Sequence, residues 1–428
     1  MAAAVTLTQR GHQVSVWETA RHWGGRARAL ELAGPDSQRW TVDNGQHILI
    51  GAYTACLELM RSVGVELERA VLRTPLDLRD VHGHGLHLPN LTPPWDAVLG
   101  IARAAGWSWR DKAALLLRAQ RWQRQGFRCG QHATVADLCQ GLPPRLLRDF
   151  VEPLCVSALN LPAEQASGSI FLRVLQDALF AGAGGSHLLL PRTDMGRLFP
   201  TRAAQWLQTQ GAQLHLGTRV QHVIPHPQHG WSVDGVQVDQ VVLATSSNEA
   251  ARLALGASQH QPVWASDCEA WAATADALPH TAIATVYAWA PGATRPLLPA
   301  PMVALHSSPE APAQFAFDRS QLGGPTGLLA LVVSAAQGAR QTLQAQVLAQ
   351  AQTQLQLPQL QALQTVIDKR ATFACTPGVE RPLPHIVPGL WACGDYIEGP
   401  YPATLEGAVR SAQAVAQALD AAGAPPAP

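Results

Sequence analysis

Hydrophobic positions recur with two periods along this chain, and the switches between them lay out most of its elements. Residues 1–10 carry Ala4 and Leu7 at helical spacing and close on Gly11, which predicts a helix with a glycine stop. Val14 and Val16 then alternate with polar neighbours, the mark of a short strand ending at Glu18. Residues 61–185 read as mainly helical, with short strands near 76–88. Residues 188–211 read as strand, capped turn and helix, followed by short strands in AQLHLGTRVQHVIPH, one of them through Thr218-Arg219-Val220, and another in DQVVLATS. From about 260 to 385 strands dominate, as in HTAIATVYAWA and LLALVVSAA. Within that part, the glutamine-rich stretch 337–364 places Leu343, Val347, Ala351 and Leu355 at helical spacing, which predicts an amphipathic helix with Gln346 and Gln350 turned to solvent. Finally, the apolar strand LWAC runs into Gly394-Asp395, and a last helix opens near Ala403-Thr404.

At 428 residues the chain can bury a large core in two domains or one composite. Its 47% apolar and 14% charged content and zero formal charge argue against a nucleic-acid surface or an acidic partner, and suit an apolar substrate. The longest apolar run, 327–336, is too short to span a bilayer, and no basic segment followed by an apolar one marks a signal peptide. Seven dispersed cysteines point to a reducing, cytoplasmic setting. His82, His84 and His87 alternate in a glycine-rich hairpin without a second ligand group, so no metal site is expected. Two helical segments mix Trp95, Trp107, Trp109 and Trp122 with Arg103, Arg110, Lys112, Arg118, Arg121 and Arg124. They read either as a face for lipid headgroups, with Leu115, Leu116 and Leu117 toward acyl chains or core, or as an ordinary amphipathic lid.

Candidate chemistry gathers at the two ends. Glu18 closes a strand, where a dinucleotide-binding unit sets a carboxylate on ribose hydroxyls, and Gly24-Gly25-Arg26 follows, with Arg28 near by. At the other end Gly394 allows close backbone approach, Asp395 can accept a sugar hydroxyl, and the helix N-terminus at Ala403-Thr404 favours an anion such as a reduced isoalloxazine. Cys393 beside them is either a covalent attachment point for a flavin or a small core residue. In VDNGQHILIG, Asp43, Gln46 and His47 bring polar groups beside a strand, or else form only the turn that precedes it. Taken singly, Glu18 also reads as a solvated strand end and Arg26 as a surface arginine. A G-x-G-x-x-G turn is expected before the first helix and is not found in this sequence, so a start site assigned inside that helix, or a fragment, is the expectation, with weak FAD binding as its consequence.

The block FVEPLCVSALNLPAEQASGSIFLRVLQDALFAGAGGSHLLLPRTDMGRL and the ending ACGDYIEGPYPATLEGAVRSAQ resemble the hydroxysqualene dehydroxylases, or squalene-associated FAD-dependent desaturases, within the flavin amine oxidase and phytoene desaturase group. The resemblance covers nearly the whole chain. It implies an α/β, Rossmann-like two-dinucleotide-binding-domain flavoprotein with an α+β substrate domain, lacking its first strand and glycine loop. The expected FAD-binding domain is discontinuous, 1–60, 186–258 and 386–428, and the substrate domain with its helical lid takes 61–185 and 259–385. By the same resemblance Gly24, Gly25 and Arg26 lie along the FAD pyrophosphate, Val220 meets adenine, Ala244 closes the adenosine side, and Asp395 meets the ribityl chain or pyrophosphate edge.

The implied reaction is reductive removal of the hydroxyl of hydroxysqualene, an isoprenoid triterpene, to give squalene. Its proton donor is sought among Asp43, His47, Glu152 and Tyr401; Glu152 reads equally as a helix-surface residue and Tyr401 as packing beside the flavin. Squalene-pathway enzymes and the inner face of the cytoplasmic membrane are further expected contacts. Two rival readings stay open: an oxidative carotenoid desaturase or amine oxidase relative, and a non-catalytic isoprenoid escort.

Overall fold

The structure is a computed structural model, and it describes all residues except 36–37, 180–181, 227–229 and 422–428. The chain opens with helix α1 (Ala2–Gln9), which ends before Gly11 in a left-handed conformation, φ +89°, where a glycine carries no Cβ penalty. Strand β1 (Ser15–Glu18) follows, then helix α2 (Thr54–Ser62) and a hairpin of helices, α3 (Trp95–Arg103) and α4 (Trp109–Arg124). Helix α4 starts where it does because of a capping box: Ser108 Oγ accepts from Asp111 N, and Asp111 accepts in return from Ser108 N.

Two short parallel ladders flank the N- and C-terminal segments. Strand β1 pairs with β2 (Gln213–Leu216), and β3 (Val241–Leu243) pairs with the late strand Leu390–Ala392. Helix α1 packs on the last helix of the chain, and Arg10 and His12 both pair with Asp420 there. Thus the two chain ends are tied together.

The strand-rich region forms one antiparallel sheet of five strands: β4 (His280–Trp289), β5 (Met302–Ala304), β6 (Phe315–Asp318), β7 (Leu328–Val333) and β8 (Gln361–Phe373), in the order β5-β6-β7-β4-β8. All six residues of β7, LLALVV, are buried, as an unbroken apolar run in a central strand requires. Alternation along β4 sends Ala284, Val286 and Ala288 to one face, where they meet Leu343, Val347 and Ala351 of helix α5 (Arg340–Gln354). Thr285 and Tyr287 go to the opposite face.

Three expectations need correction here. Gln350 is buried, not solvated: its Oε1 accepts from Ala313 N, and its Nε2 donates to the carbonyls of Ala313 and His306. The loop beneath the helix needs partners for its backbone, and a side-chain amide supplies both kinds. The helix also stops at Gln354, because 361–364 enter β8. Thr218-Arg219-Val220 is irregular backbone, and a strand begins only at Val223. Asp234 accepts from the N–H groups of Gln221 and His222, and Thr218 N donates to the Glu18 carbonyl, so these donors are committed outside any ladder.

Candidate cofactor cleft and active site

A cleft of about 1660 Å³ runs between the N-terminal, middle and C-terminal segments. Pockets for drug-sized ligands measure roughly 300–1,000 Å³, so this larger space has room for a longer, dinucleotide-like ligand. Glu18, Gly24, Gly25, Arg26, His47, Val220, Ala244, Gly394, Asp395, Ala403 and Thr404 all lie on its wall.

At the N-terminal side the Glu18 carboxylate accepts from Ala20 N at 2.8 Å, which fixes one oxygen and leaves the other for a ligand. Gly24 has φ +123° and a Cβ there would stand 2.6 Å from the Ala27 carbonyl, so the turn tolerates no side chain. Arg26 then reaches across the cleft to Asp395, 2.5 Å away, and donates to the Ala371 carbonyl. Its charge is therefore shared with a carboxylate from the far end of the chain. Asn44 staples this turn in place, donating to the Arg26 carbonyl and accepting from Arg28 N.

The C-terminal wall is built by a left-handed residue and a helix start. Ala403, φ +57°, donates to the Asp395 carbonyl, and Thr404 Oγ1 accepts from Gly407 N at 3.0 Å, so Thr404 caps helix α6 (Leu405–Ala421). A Cβ on Gly407 would lie 1.9 Å from the Tyr401 carbonyl, which is why the capped turn carries glycine. Glu406 does not face the cleft; fully buried, it accepts from Ala55 N and Cys56 N and caps helix α2. The thiol of Cys393 is pushed up to about 11 by burial, which keeps it protonated and unreactive as a nucleophile.

The acid candidates separate in space. Asp43 is buried behind the wall, with Oδ1 accepting from Met195 N at 2.8 Å and its carbonyl accepting from Tyr287 Oη at 2.7 Å. Its Oδ2 stands 3.8 Å from Nδ1 of His47. Among the described residues that nitrogen is buried without a hydrogen-bond partner, and the His47 ring lies on the cleft wall. Glu152 lies outside the cleft in helix Glu152–Leu159, accepting from Ala163 N, and burial pushes its carboxyl up. Tyr401 is also off the cleft, between the guanidinium groups of Arg173 and Arg410, 5.3 and 4.9 Å from its ring centre. Of the four, His47 alone is on the wall among the described residues.

Groups not singled out from sequence complete the cleft. Ser247 Oγ, Asn248 Oδ1 and Tyr396 Oη are buried in residues of its lining and have no hydrogen-bond partner among the described residues. Buried polar atoms cost free energy when unpaired, so orphaned donors and acceptors spread along a dinucleotide-sized cleft fit a polar, extended ligand such as FAD. The N–H groups opening α6 add a site for negative charge. Behind His47, Arg319 donates to Gln46 Oε1 at 3.0 Å and holds that amide at the cleft edge. Gln46 was visible in the VDNGQH motif; its arginine partner, 273 residues away, was not.

These features define a flavin-binding oxidoreductase. The sequence matches the flavin containing amine oxidoreductase family over residues 1–420, and the chain belongs to that family, whose cofactor is FAD. Its fold is shared with an oxidoreductase from Methanosarcina mazei, with a TM-score of 0.69, 17% identity and 97% of each chain covered. Among relatives in sequence, a hydroxysqualene dehydroxylase from Rhodopseudomonas palustris is 25% identical across 99% of this chain and 96% of its own. Another from Zymomonas mobilis subsp. mobilis is 23% identical, and there the match spans about half of either chain, 52% of each. No helix among the described residues is long and apolar enough to cross a membrane.

Proposed function

We propose that this FAD-dependent oxidoreductase removes the hydroxyl of hydroxysqualene to give squalene. The observation that carries this reading is the end-to-end similarity to the Rhodopseudomonas palustris hydroxysqualene dehydroxylase. Glu18, Arg26 and Asp395 on the cleft wall would hold FAD, which in its reduced form would supply a hydride there. His47 holds a proton at Nε2 and passes it to the substrate hydroxyl as the C–O bond breaks and water leaves. Asp43 Oδ2, 3.8 Å from the other ring nitrogen, sets a negative charge beside the imidazole without hydrogen-bonding it. The carbon left behind would be allylic, so that its positive charge is delocalised. Ile283 and Phe373 give the neighbouring cleft wall an apolar surface that keeps water from that carbon.

The test uses flavin-loaded protein, chemically reduced without oxygen and given hydroxysqualene or phytoene in parallel. Squalene forms from the first and the second is unchanged. His47→Gln keeps its flavin absorbance and loses about 10²–10⁴-fold in the rate of squalene formation, the usual contribution of a positioned acid. A flavin-loaded, reducible protein that leaves hydroxysqualene intact overturns the reading.

A further inference from the structure

We infer that the α3–α4 hairpin is a docking surface for an anionic lipid bilayer. The inference does not depend on the reaction proposed above. Of thirteen tryptophans in the chain, only Trp95 and Trp109 are exposed, at 65% and 76%, and both stand at the start of a hairpin helix. Leu91, Val98 and Leu117 are exposed in the same stretch, so half of the ten exposed large apolar residues among those described fall within it. Exposed positions on α4 run Trp109, Ala113, Leu117 and Arg121, at the four-residue spacing of a single helix face. Trp107, Leu115 and Trp122, by contrast, are in the core.

Charge on the hairpin matches the apolar stripe. Residues 91–128 hold seven lysines and arginines against two aspartates, in a chain of zero formal charge. Both aspartates are buried, Asp111 in the capping box and Asp96 in the first turn of α3, where burial pushes its carboxyl up. Arg103, Arg110, Arg121, Arg124 and Arg128 are exposed and pair with no carboxylate among the described residues. Lys112 bridges the two helices, donating to the Ala102 carbonyl with its ammonium 4.8 Å from the Trp109 ring centre. Amphipathic rings flanked by unpaired cations suit the level of the headgroups: indoles settle at the boundary with the acyl chains, and arginines meet phosphates. A protein partner with an acidic, aromatic-accepting face is the competing occupant, and a second copy of this chain presents the same cations and is repelled.

Co-sedimentation of the full chain with vesicles decides the matter. Binding is expected to vesicles of equal phosphatidylglycerol and phosphatidylcholine, to fall at least tenfold with phosphatidylcholine alone, and to weaken steeply between 0.1 and 0.5 M salt. Arg121→Glu with Arg124→Glu, and separately Trp95→Ser with Trp109→Ser, each lower vesicle affinity more than about tenfold while melting temperature stays within a degree or two. Failure of the well-folded parent to bind the anionic vesicles overturns the proposal. So does binding that both double variants retain, or a lipid-free dimer that the tryptophan substitutions dissociate.

Discussion

Asp43 is held from several sides, and each contact has a separate consequence. Its Oδ1 satisfies the buried Met195 N–H, while Oδ2 is the group facing His47. Asp43→Ala strands that N–H and is expected to cost about 1–3 kcal/mol of stability by urea titration. Asp43→Asn keeps an acceptor for Met195, so stability stays near the parent while turnover falls, since an amide cannot offer the imidazole the same charge. Equal losses of turnover and stability in both variants would show that Asp43 only builds structure. At this scale the cleft was partly legible. Glycines and acids carry chemistry that a motif can announce, so Glu18, Gly24, Gly25, Arg26, Gly394 and Asp395 could be named from motif and family resemblance, and all six line the cleft. Glu152 and Tyr401 had equally suggestive chemistry, yet nothing in a one-dimensional pattern says which wall a helix residue faces. Ser247, Asn248 and Tyr396 were missed because being buried and unpartnered is a property of the folded neighbourhood.

Elements were more legible than residues, because period reports burial directly. Leu343, Val347 and Ala351 bury the expected stripe of α5. The same periodicity assigned Gln350 to water, and there it failed: an amide beside an apolar stripe is indistinguishable by pattern from one that reaches a buried loop. Helix α5 is thereby fixed to the 306–313 loop by three hydrogen bonds from one side chain. Gln350→Leu removes them, leaves an N–H and carbonyl of Ala313 unpaired, and is expected to lower stability by about 2–4 kcal/mol, more than the leucine gains by burial. Gln346, half-buried and joined to Pro309 by one long bond of 3.3 Å, changes stability by less than about 0.5 kcal/mol on conversion to alanine. Denaturant midpoints of the two variants check the contrast; similar values for both would mean that the amide network is dispensable.

On the scale of the whole molecule, cofactor and fold are linked because the cleft is closed by parts remote in sequence. Arg26 meets Asp395, Glu406 caps the helix that begins at Thr54, and Arg10 pairs with Asp420. A dinucleotide lying between these segments stabilises only the state in which they are assembled, so FAD acts as a ligand of the folded form. At a free concentration 100 times its dissociation constant it adds about 2.7 kcal/mol, which for a chain of this length is roughly 3 °C of melting temperature. The proposed role of Arg26 is to bring positive charge to the pyrophosphate side of such a ligand, and its carboxylate partner becomes a buried, unpaired acid if it is removed. Arg26→Ala is therefore expected to melt lower even without FAD and to show a smaller response to it. A tenfold loss of affinity takes away about 1.4 kcal/mol, half of that response. Melting curves of parent and variant, each with and without added FAD, separate the two effects. If the FAD-dependent increment is the same in both proteins, the Arg26–Asp395 pair is a strut of the fold and makes no contact that the cofactor feels.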